Sequence, residues 1–585
     1  MKQRRGHKSK RVRKKNQNEL IGYFQKPKGS HAHCVVDRAS EEKFKIGKSE
    51  LRKAFPGDLV RYHLTPKGWA SIDSVLKSNT DNFIGKITRN GKITFSSPVG
   101  LEDIVRIKIT GDIPKKISTE TLVEIILTKQ PAARQMGEGF IKRTISGDNI
   151  LEIASALSVS KHDLRTEWNK SIIQESQRLA KTVIATEVNY VDLRNKSFIT
   201  IDGKTAKDFD DAVFSEKNKS GDLVLYVAIA DVGKFVTPGS AMDKEAAERG
   251  TSVYFTQKVI PMLPEIISND LCSLRPKEDR YCLVCKTSLS QAGESKEVEF
   301  FQAIINSKSR LTYEKVAEQM KINKFSDPYA QSLKNLVDIY KILKKAKKNR
   351  GALELDIPFY VPQLKGNKIE KFINTSRNEA HLLIEECMLL ANICAAKILM
   401  KAKIPSIYRI HPKPDPLKIK NLEGFARSRK INVTLGDDGK VKELSNLVDI
   451  TKDRKDKETI HMQILQSLSL AVYETEVSEH FALGYPAYTH FTSPIRRYPD
   501  LMVHRALKSL IQTSPNGNIS LDKIRPQRIN KDLYPYNNDL VEEIASLSST
   551  KEREAEKAER EAINYLKCAY AKDNIGKEFN GVISG

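Results

Sequence analysis

Residues 201–213 read IDGKTAKDFDDAV, and the stretch holds four acidic side chains within ten residues: Asp202, Asp208, Asp210 and Asp211. The apolar run at 198–201 before them predicts a short β-strand. The run at 223–230 after them, LVLYVAIA, predicts a longer and mostly buried strand. The aspartates are therefore expected at the end of one strand and in the loop that follows it.

Crowded carboxylates repel one another, so such a cluster must stay solvated, share protons or bind a cation. Ligands that are all carboxylate oxygens favour Mg²⁺ or Mn²⁺ over zinc. A calcium-binding EF-hand is excluded, because a loop starting at Asp208 has Val213 at its sixth position and Lys219 at its twelfth, where glycine and glutamate are required. On spacing alone, a solvated acidic turn is an equal alternative to a metal site.

The composition indicates a multidomain globular protein with a polyanionic partner. The 585 residues, of which 39% are hydrophobic and 29% charged, are enough for about three to five domains. The 98 Lys and Arg against 73 Asp and Glu give a net charge of +25, which is typical of nucleic-acid binding. No basic-then-apolar leader and no apolar run of about 18 residues occurs, so we expect a cytoplasmic protein that does not enter a membrane.

Seven cysteines are scattered along the chain, an odd number that fits a reducing compartment. Cys282 and Cys285 look like half of a zinc site, but no second pair follows at zinc spacing. Because residues 281–289 predict a strand, we expect both to be ordinary buried thiols.

The N-terminal part predicts a basic arm and two β-barrels. Residues 1–18 are expected to be a disordered arm, since nine of the first 15 residues are Lys or Arg and none is acidic. Short strands at spacings of about 8–12 residues predict two small β-barrels, at 19–75 and 76–130. The order of the strands and the Pro-Gly-Asp turn at 56–58 resemble cold-shock-type OB folds, so we expect a cold-shock-type OB domain followed by a second OB-like domain. Three aromatic residues are candidates for stacking on RNA bases, and each fits a core position equally well: Tyr23, Phe24 and Tyr62.

The predicted fold class is multidomain α+β, with the N-terminal barrels followed by a large mixed α/β catalytic domain. Residues 131–195 are expected to be a helical connector and residues 196–573 the catalytic domain. Residues 574–585 are expected to be the start of an incomplete C-terminal OB-type RNA-binding module. Helical periodicity predicts helices at 148–156, 161–182, 313–350, 378–403, 456–477 and 539–571.

Three segments together resemble the ribonuclease II and ribonuclease R (RNB) family of exoribonucleases: IDGKTAKDFDDA at 201–212, RGTSVYFTQKVIPMLPEIISNDLCSL at 249–274 and YTHFTSPIRRYPDLMVHR at 488–505. Motifs of this length are far more specific than a single short pattern. The sequences AIADV, VIPMLPE and the third segment are most similar to the ribonuclease R branch of the family.

This resemblance implies processive 3′-to-5′ hydrolysis of single-stranded RNA to nucleoside 5′-monophosphates, with Mg²⁺ or Mn²⁺ as cofactor. The four aspartates of the loop match the family's metal ligands, and Asp210 and Asp211 match catalytic positions. Two cations about 4 Å apart activate water and stabilise the leaving oxygen. A monomer is expected, since one chain supplies every group.

Other site residues follow from the same resemblance. Tyr254 matches the aromatic that stacks on the 3′-terminal base, and Arg496 matches the arginine that holds the scissile phosphate. Arg497 is adjacent, and the sequence does not separate the two. Glu386 and Glu559 match glutamates that contact RNA, where a carboxylate can accept from a ribose 2′-hydroxyl; ordinary helix-face charges are an equal alternative.

Three expectations complete the interpretation. His490 and His504 are expected to be structural, because metal-bound hydroxide needs no histidine base. Leu355 stands where relatives commonly have phenylalanine, so base stacking opposite Tyr254 should be one-sided. A non-catalytic RNA-binding protein or a DNA nuclease would also fit the charge, but all four aspartates are present and the DNA nuclease leaves the glutamates without a purpose.

Overall fold

The computed structural model describes residues 20–25, 34–47, 49–78, 80–90, 93–99, 105–113, 121–132, 135–145, 149–355, 357–366, 368–436, 440–526 and 529–579. The arm expected at 1–18 and the last six residues of the expected C-terminal module lie outside these ranges. The chain forms two units, the first Met1–Leu164 with Leu364–Lys368 and the second Arg165–Gln363 with Ile369–Gly585.

The first unit begins with a five-stranded sheet. Its strands are β1 (Leu20–Gln25), β2 (Cys34–Asp37), β3 (Lys43–Lys45), β4 (Leu59–Leu64) and β5 (Ala70–Lys77). They lie in the order β3-β2-β1-β4-β5. Of the aromatic candidates for RNA stacking, Phe24 and Tyr62 are buried in the core of this sheet, whereas Tyr23 is exposed.

The second sheet of this unit is a closed barrel. Its strands are β6 (Asn82–Asn90), β7 (Ile93–Pro98), β8 (Ile107–Ile109), β9 (Leu122–Lys129) and β10 (Gly137–Ile145), followed by helix α1 (Ile150–Lys161). The expectation that the connector from 131 onward is helical was wrong at its start, because β10 pairs with β9 and closes the barrel. A Cβ at Gly139 would lie 2.6 Å from the Ile126 carbonyl oxygen. Glycine is therefore needed for this close approach, although it weakens the sequence signal of a strand.

The second unit is organised around an eight-stranded sheet. The strands of the remaining chain are β11 (Val191–Asp192), β12 (Ile199–Asp202), β13 (Asp211–Lys217), β14 (Leu223–Ala230), β15 (Val253–Tyr254), β16 (Val259–Ile260), β17 (Asp279–Leu289), β18 (Ser295–Asn306), β19 (Ser309–Thr312), β20 (Tyr360–Lys365), β21 (Lys368–Asn374), β22 (Tyr408–Ile410), β23 (Val472–Glu474) and β24 (Asn518–Ser520). The large sheet has the order β11-β18-β17-β14-β13-β12-β19, with β24 added to β18. Every residue of β14 is buried, as its unbroken apolar run predicts.

Helices pack on this sheet and extend from it. They are α2 (Lys170–Leu179), α3 (Ala241–Arg249), α4 (Tyr313–Ile322), α5 (Ala330–Arg350), α6 (Glu379–Ala402), α7 (Pro416–Ser428), α8 (Val441–Thr451), α9 (Lys457–Ser467), α10 (Tyr498–Thr513) and α11 (Asn538–Asp573). Helices α5, α6 and α10 contact the large sheet. Helices α7 to α9 share a separate hydrophobic core, against which Leu355 packs.

Three of the predicted helices differ from those observed. The helix expected at 161–182 begins only at Lys170, because α1 ends at Lys161, Asp163 adopts a positive φ of 48° and Asn169 caps the start of α2. The helix expected at 313–350 is interrupted between α4 and α5, where Asn323 adopts a left-handed conformation with φ of 51° and Pro328 follows. The helix expected at 456–477 ends at Ser467, and the chain continues as β23. The multidomain α+β class with N-terminal β-sheets is confirmed.

Two further features bear on the sequence expectations. Cys282 and Cys285 are buried free thiols on β17, as expected. In the part of the chain that the structure describes, no helix combines the length and apolar character needed to cross a membrane.

Candidate active site

The four aspartates converge where two neighbouring strands of the large sheet meet a loop. Asp202 is the last residue of β12 and Asp211 is the first residue of β13. The connecting loop, residues 203–210, carries Asp208 and Asp210. Because β12 and β13 are antiparallel neighbours, the loop brings the four carboxyl groups to one edge of the sheet.

Hydrogen bonds to its backbone hold the 203–210 loop in place. The Ser273 hydroxyl donates to the Lys207 carbonyl oxygen at 2.7 Å and accepts from the Phe209 N–H at 3.0 Å. Arg310 donates to the Lys204 carbonyl oxygen at 2.9 Å, and its guanidinium lies 5.5 Å from the centre of the Phe209 ring. These bonds from Ser273 and Arg310 use backbone groups of the loop and none of its carboxylates.

The environment of Asp202 and Asp211 disfavours their ionised forms. Burial raises the pKa of Asp202 to about 8, and the negative charges of Asp211 and Asp208 act in the same direction. Burial raises the pKa of Asp211 to about 6, although Arg496 opposes the shift. An ordinary aspartate has a pKa of about 4, so both carboxyl groups would gain from a nearby cation.

Asp210 is the most enclosed member of the cluster, with 5% of its surface exposed. Its Oδ1 atom accepts from the Ile495 N–H at 2.8 Å, and its Oδ2 atom lies 3.9 Å from the Arg496 Nε. Burial raises the pKa of Asp210 well above its usual range, and Arg496 and the Ile495 N–H act against that rise. Asp210 thus links the 203–210 loop to the residues that precede α10.

The donor chemistry of the cluster fits a hard divalent cation. Within the described residues, no three His, Cys, Asp or Glu side chains already adopt a metal-binding arrangement. The ligands on offer are carboxylate oxygens, which Mg²⁺ prefers. The repulsion of Asp202 by Asp208 and Asp211 is what such a cation would neutralise.

Tyr254 lies beside the cluster and is held at both ends. Its side-chain hydroxyl donates to Asp208 Oδ2 at 2.9 Å, and its backbone N–H donates to Glu559 Oε1 at 2.7 Å. Its neighbours Val253 and Phe255 are buried, whereas Tyr254 is 37% exposed. The exposed ring is therefore available to a ligand. Glu559 helps to position Tyr254 by accepting from its backbone N–H.

The structure separates the two adjacent arginines. The Arg496 side chain is 42% exposed and lies beside Asp210. The Arg497 side chain is 17% exposed and forms two hydrogen bonds with the buried Asp500, at 2.8 and 2.7 Å. Of the two, Arg496 is the more exposed and lies beside the carboxylate cluster, while Arg497 is engaged in an internal ion pair.

Glu386 also lies in an internal ion pair. It is buried on α6, and its Oε1 atom is 3.0 Å from the Lys347 Nζ. Burial raises the pKa of Glu386, and Lys347 counteracts the rise. The contact of Glu386 with RNA stays a prediction, and in this structure its carboxylate is paired with Lys347.

Of the two histidines of the motif, His504 is buried and His490 is half-buried. His504 Nε2 lies 2.7 Å from the Phe491 carbonyl oxygen, and burial lowers the pKa of His504 to about 4. His490 Nδ1 lies 2.7 Å from the Tyr473 hydroxyl, and burial lowers the pKa of His490 well below its usual range. Two neutral, enclosed imidazoles agree with the structural roles expected for them.

Sequence reasoning missed three residues near the cluster: Ser273, Arg310 and Tyr313. The charges of Asp211 and Asp202 reinforce the effect of burial in raising the pKa of Tyr313, whose ring stacks on His381 at 3.8 Å. Arg310 and Tyr313 lie on or next to β19, which runs parallel to β12 with Thr312 opposite Asp202. The pairing of β19 with β12 would have placed Arg310 and Tyr313 near the cluster, but the short sequence SRLT does not predict that pairing.

Comparison with known proteins places the chain in a family. Residues 190–513, more than half of the chain, match the RNB domain model. Ribonuclease R of Vibrio parahaemolyticus is 39% identical over 451 residues, which are 75% of this chain and 53% of that protein. Ribonuclease R of Escherichia coli is 35% identical over 525 residues, which are 88% of this chain and 63% of that protein.

A solved structure agrees with the sequence matches. Mycoplasma genitalium RNase R in complex with ribose-methylated single-stranded RNA has a TM-score of 0.80 at 25% identity, and the match covers 97% of this chain and 89% of that chain. The chain belongs to the RNB family of exoribonucleases. Within that family its relatives at 35–39% identity are ribonucleases R, and the chain spans about half to two thirds of their length.

Proposed function

We propose that this protein is a 3′-to-5′ exoribonuclease that hydrolyses single-stranded RNA processively to nucleoside 5′-monophosphates with Mg²⁺ as cofactor. The observation that carries the proposal is the clustering of four aspartates at one loop beside Arg496 and Tyr254, namely Asp202, Asp208, Asp210 and Asp211. The protein acts as a monomer, because one chain supplies all of these groups.

Tyr254 is proposed to position the 3′-terminal nucleotide. Its exposed ring offers a face on which a base can stack, an interaction of about 1–3 kcal/mol that tolerates any base. The bonds of Tyr254 to Asp208 and Glu559 limit its motion, so a stacked base would be held at a fixed distance from the carboxylates. This arrangement favours removal of one nucleotide at a time from the end.

Arg496 is proposed to hold the scissile phosphate. Its side chain is partly exposed. Its guanidinium donates to the Ser493 hydroxyl at 3.1 Å, and this bond helps to orient it. A planar guanidinium binds two phosphate oxygens at once and stabilises the charge that develops during hydrolysis. The four aspartates would hold the divalent cations, which when bound supply an activated water and stabilise the leaving oxygen.

Digestion of end-labelled oligonucleotides tests this function. With Mg²⁺, a 5′-labelled single-stranded RNA should be converted to a short labelled remnant without intermediates, while a 3′-labelled copy should release labelled mononucleotide at once. EDTA should stop both reactions, and DNA of the same sequence should remain intact. Internal fragments, equal cleavage of DNA, or binding without cleavage would contradict the proposal.

A further inference from the structure

Asp500, in the first turn of α10, is a buried carboxylate at the centre of a small hydrogen-bond network. Its surface is 0% exposed. It accepts from the Ser493 N–H at 2.8 Å and from Arg497 Nε and Nη2 at 2.8 and 2.7 Å. A two-pronged arginine–carboxylate pair is directional, so Asp500 defines the path of the chain from Ser493 to Tyr498.

The residues that Asp500 fixes, here called the 493–498 segment, contact the cluster of aspartates. The Ile495 N–H of this segment donates to Asp210 Oδ1 at 2.8 Å. The Arg496 side chain projects from the next position and lies 3.9 Å from the other carboxylate oxygen of Asp210. A shift of the segment would therefore move both partners of Asp210 together.

The same segment also holds the strand that carries Tyr254. The Arg496 carbonyl oxygen accepts from the Ser252 N–H at 2.9 Å and from the Thr251 hydroxyl at 3.1 Å. The Tyr498 N–H donates to the Gly250 carbonyl oxygen at 2.9 Å. The 493–498 segment is thus bonded to the carboxylate cluster on one side and to the residues leading to Tyr254 on the other.

We propose that Asp500 and Arg497 are positioning residues, which set the distance between the nucleotide on Tyr254 and the groups at Asp210 through the 493–498 segment. The inference rests on the proposed exoribonuclease function. Neither residue touches the reacting atoms, and both act through Ile495, Arg496 and residues 250–254. Misplacing reacting groups by about 1 Å can cost about 100-fold in rate.

Asp500→Asn is the first test, because asparagine keeps the size of the side chain and removes its charge. In folded protein, kcat on a short RNA should fall by about 10- to 100-fold, while the dissociation constant for RNA in EDTA should change by less than about threefold. The control Glu245→Gln neutralises another largely buried carboxylate, which pairs with Arg249 at 3.0 Å on α3. This control should keep the wild-type kcat.

A double-mutant cycle with Tyr254→Ala distinguishes a positioning role of Asp500 from a purely structural one. If both residues act on one distance, the combined loss of kcat should be smaller than the product of the two single losses. Independent, multiplicative losses would overturn the inference. If Asp500→Asn does not fold, Arg497→Lys is the alternative variant, because lysine keeps the positive charge but cannot form the two-pronged bond. It should also lower kcat and leave the dissociation constant for RNA unchanged.

The remaining outcomes also decide the matter. A folded Asp500→Asn protein with wild-type kcat would overturn the positioning role while leaving the proposed function intact. An equal loss of kcat in Glu245→Gln would overturn it too, because the effect would not be specific to the segment. A wild-type protein that does not cleave RNA would overturn both the proposed function and this inference.

Discussion

Arg496 and Arg497 are neighbours in the chain, yet their side chains have opposite surroundings. Arg496 is partly exposed beside Asp210, whereas Arg497 pairs with the buried Asp500. The sequence could not separate them, because the direction of a side chain before a helix depends on tertiary contacts. The one available signal was the i,i+3 spacing of Arg497 and Asp500 at a helix start, which is typical of an ion pair.

The two arginines should respond differently to truncation. Arg496→Ala should lower kcat by about 100-fold, as loss of a group that stabilises transition-state charge does, and should leave the thermal midpoint unchanged. Arg497→Ala should lower the thermal midpoint, because Asp500 is left buried and unpaired at a cost of about 3–5 kcal/mol. Single-turnover cleavage and thermal melting measure the two effects. A stable Arg497→Ala variant together with a fully active Arg496→Ala variant would contradict the assignment.

His504 gives a pH dependence whose sign follows from its burial. Its pKa falls to about 4 in the folded chain, against about 6.5 when unfolded. Between these values only the unfolded chain binds the proton, so stability is lost as the pH falls from about 6.5 to about 4. The full effect of this one group is about 3 kcal/mol.

The contribution of His504 can be isolated by His504→Gln, which does not titrate. The thermal midpoint of the wild type minus that of His504→Gln should decrease as the pH is lowered from 7 to 4.5. A difference that stays constant across this range would show that His504 does not carry the dependence.

At the scale of elements, prediction succeeded where local pattern and burial agree. The strand β14 was predicted with its observed bounds, because an unbroken apolar run fits a fully buried strand. The long helix at 313–350 was predicted without the interruption at Asn323 and Pro328, since helical periodicity resumes after it. Strand β10 was missed because it contains Gly137 and Gly139. Glycine has a low strand propensity, and these two are required by close contacts with neighbouring strands.

The 203–210 loop should depend on a residue from a distant segment. Ser273 is buried and bonds to the backbone at Lys207 and Phe209. Ser273→Ala leaves these groups unpaired at a cost of about 1–3 kcal/mol, so the loop should become less ordered.

The measurement for Ser273→Ala is the Mg²⁺ concentration that gives half-maximal cleavage, which should rise by about tenfold if about 1.4 kcal/mol is lost from the metal-competent loop. RNA affinity in EDTA should not change. A wild-type Mg²⁺ requirement would mean that Ser273 does not support the carboxylates.

At the scale of the whole molecule, strand spacing predicted the N-terminal barrels, while the catalytic domain and its site residues came from the resemblance of three segments to the RNB family. The aspartates of the 203–210 region, Tyr254 and Arg496 lie in stretches that the sequence singled out, and the structure brings them together. Ser273 lies in the 249–274 stretch as well, but its bonds to the aspartate loop are tertiary contacts that the motif does not reveal. Arg310 and Tyr313 were beyond reach, because they join the site through strand pairing far along the chain. Glu386 is buried against Lys347.

The net charge of +25 predicts a steep salt dependence of RNA binding. Each phosphate neutralised on a single strand contributes a slope of about −0.7 to log K against log salt. A protein that contacts about six phosphates should therefore lose roughly 300-fold in affinity between 50 and 200 mM salt. Fluorescence anisotropy with labelled RNA in EDTA measures the slope, and an affinity independent of salt would exclude an electrostatic RNA surface.

Asp210→Asn tests most directly whether the carboxylate cluster performs RNA hydrolysis. Asparagine keeps the volume and an acceptor for the Ile495 N–H, which lies 2.8 Å from the carboxylate, but it removes the charge. With saturating RNA and Mg²⁺, kcat should fall by at least about 1,000-fold, or about 4 kcal/mol in the activation barrier, while RNA affinity stays within about threefold of wild type. A folded Asp210→Asn protein that cleaves RNA at more than a tenth of the wild-type rate would contradict the role of the cluster.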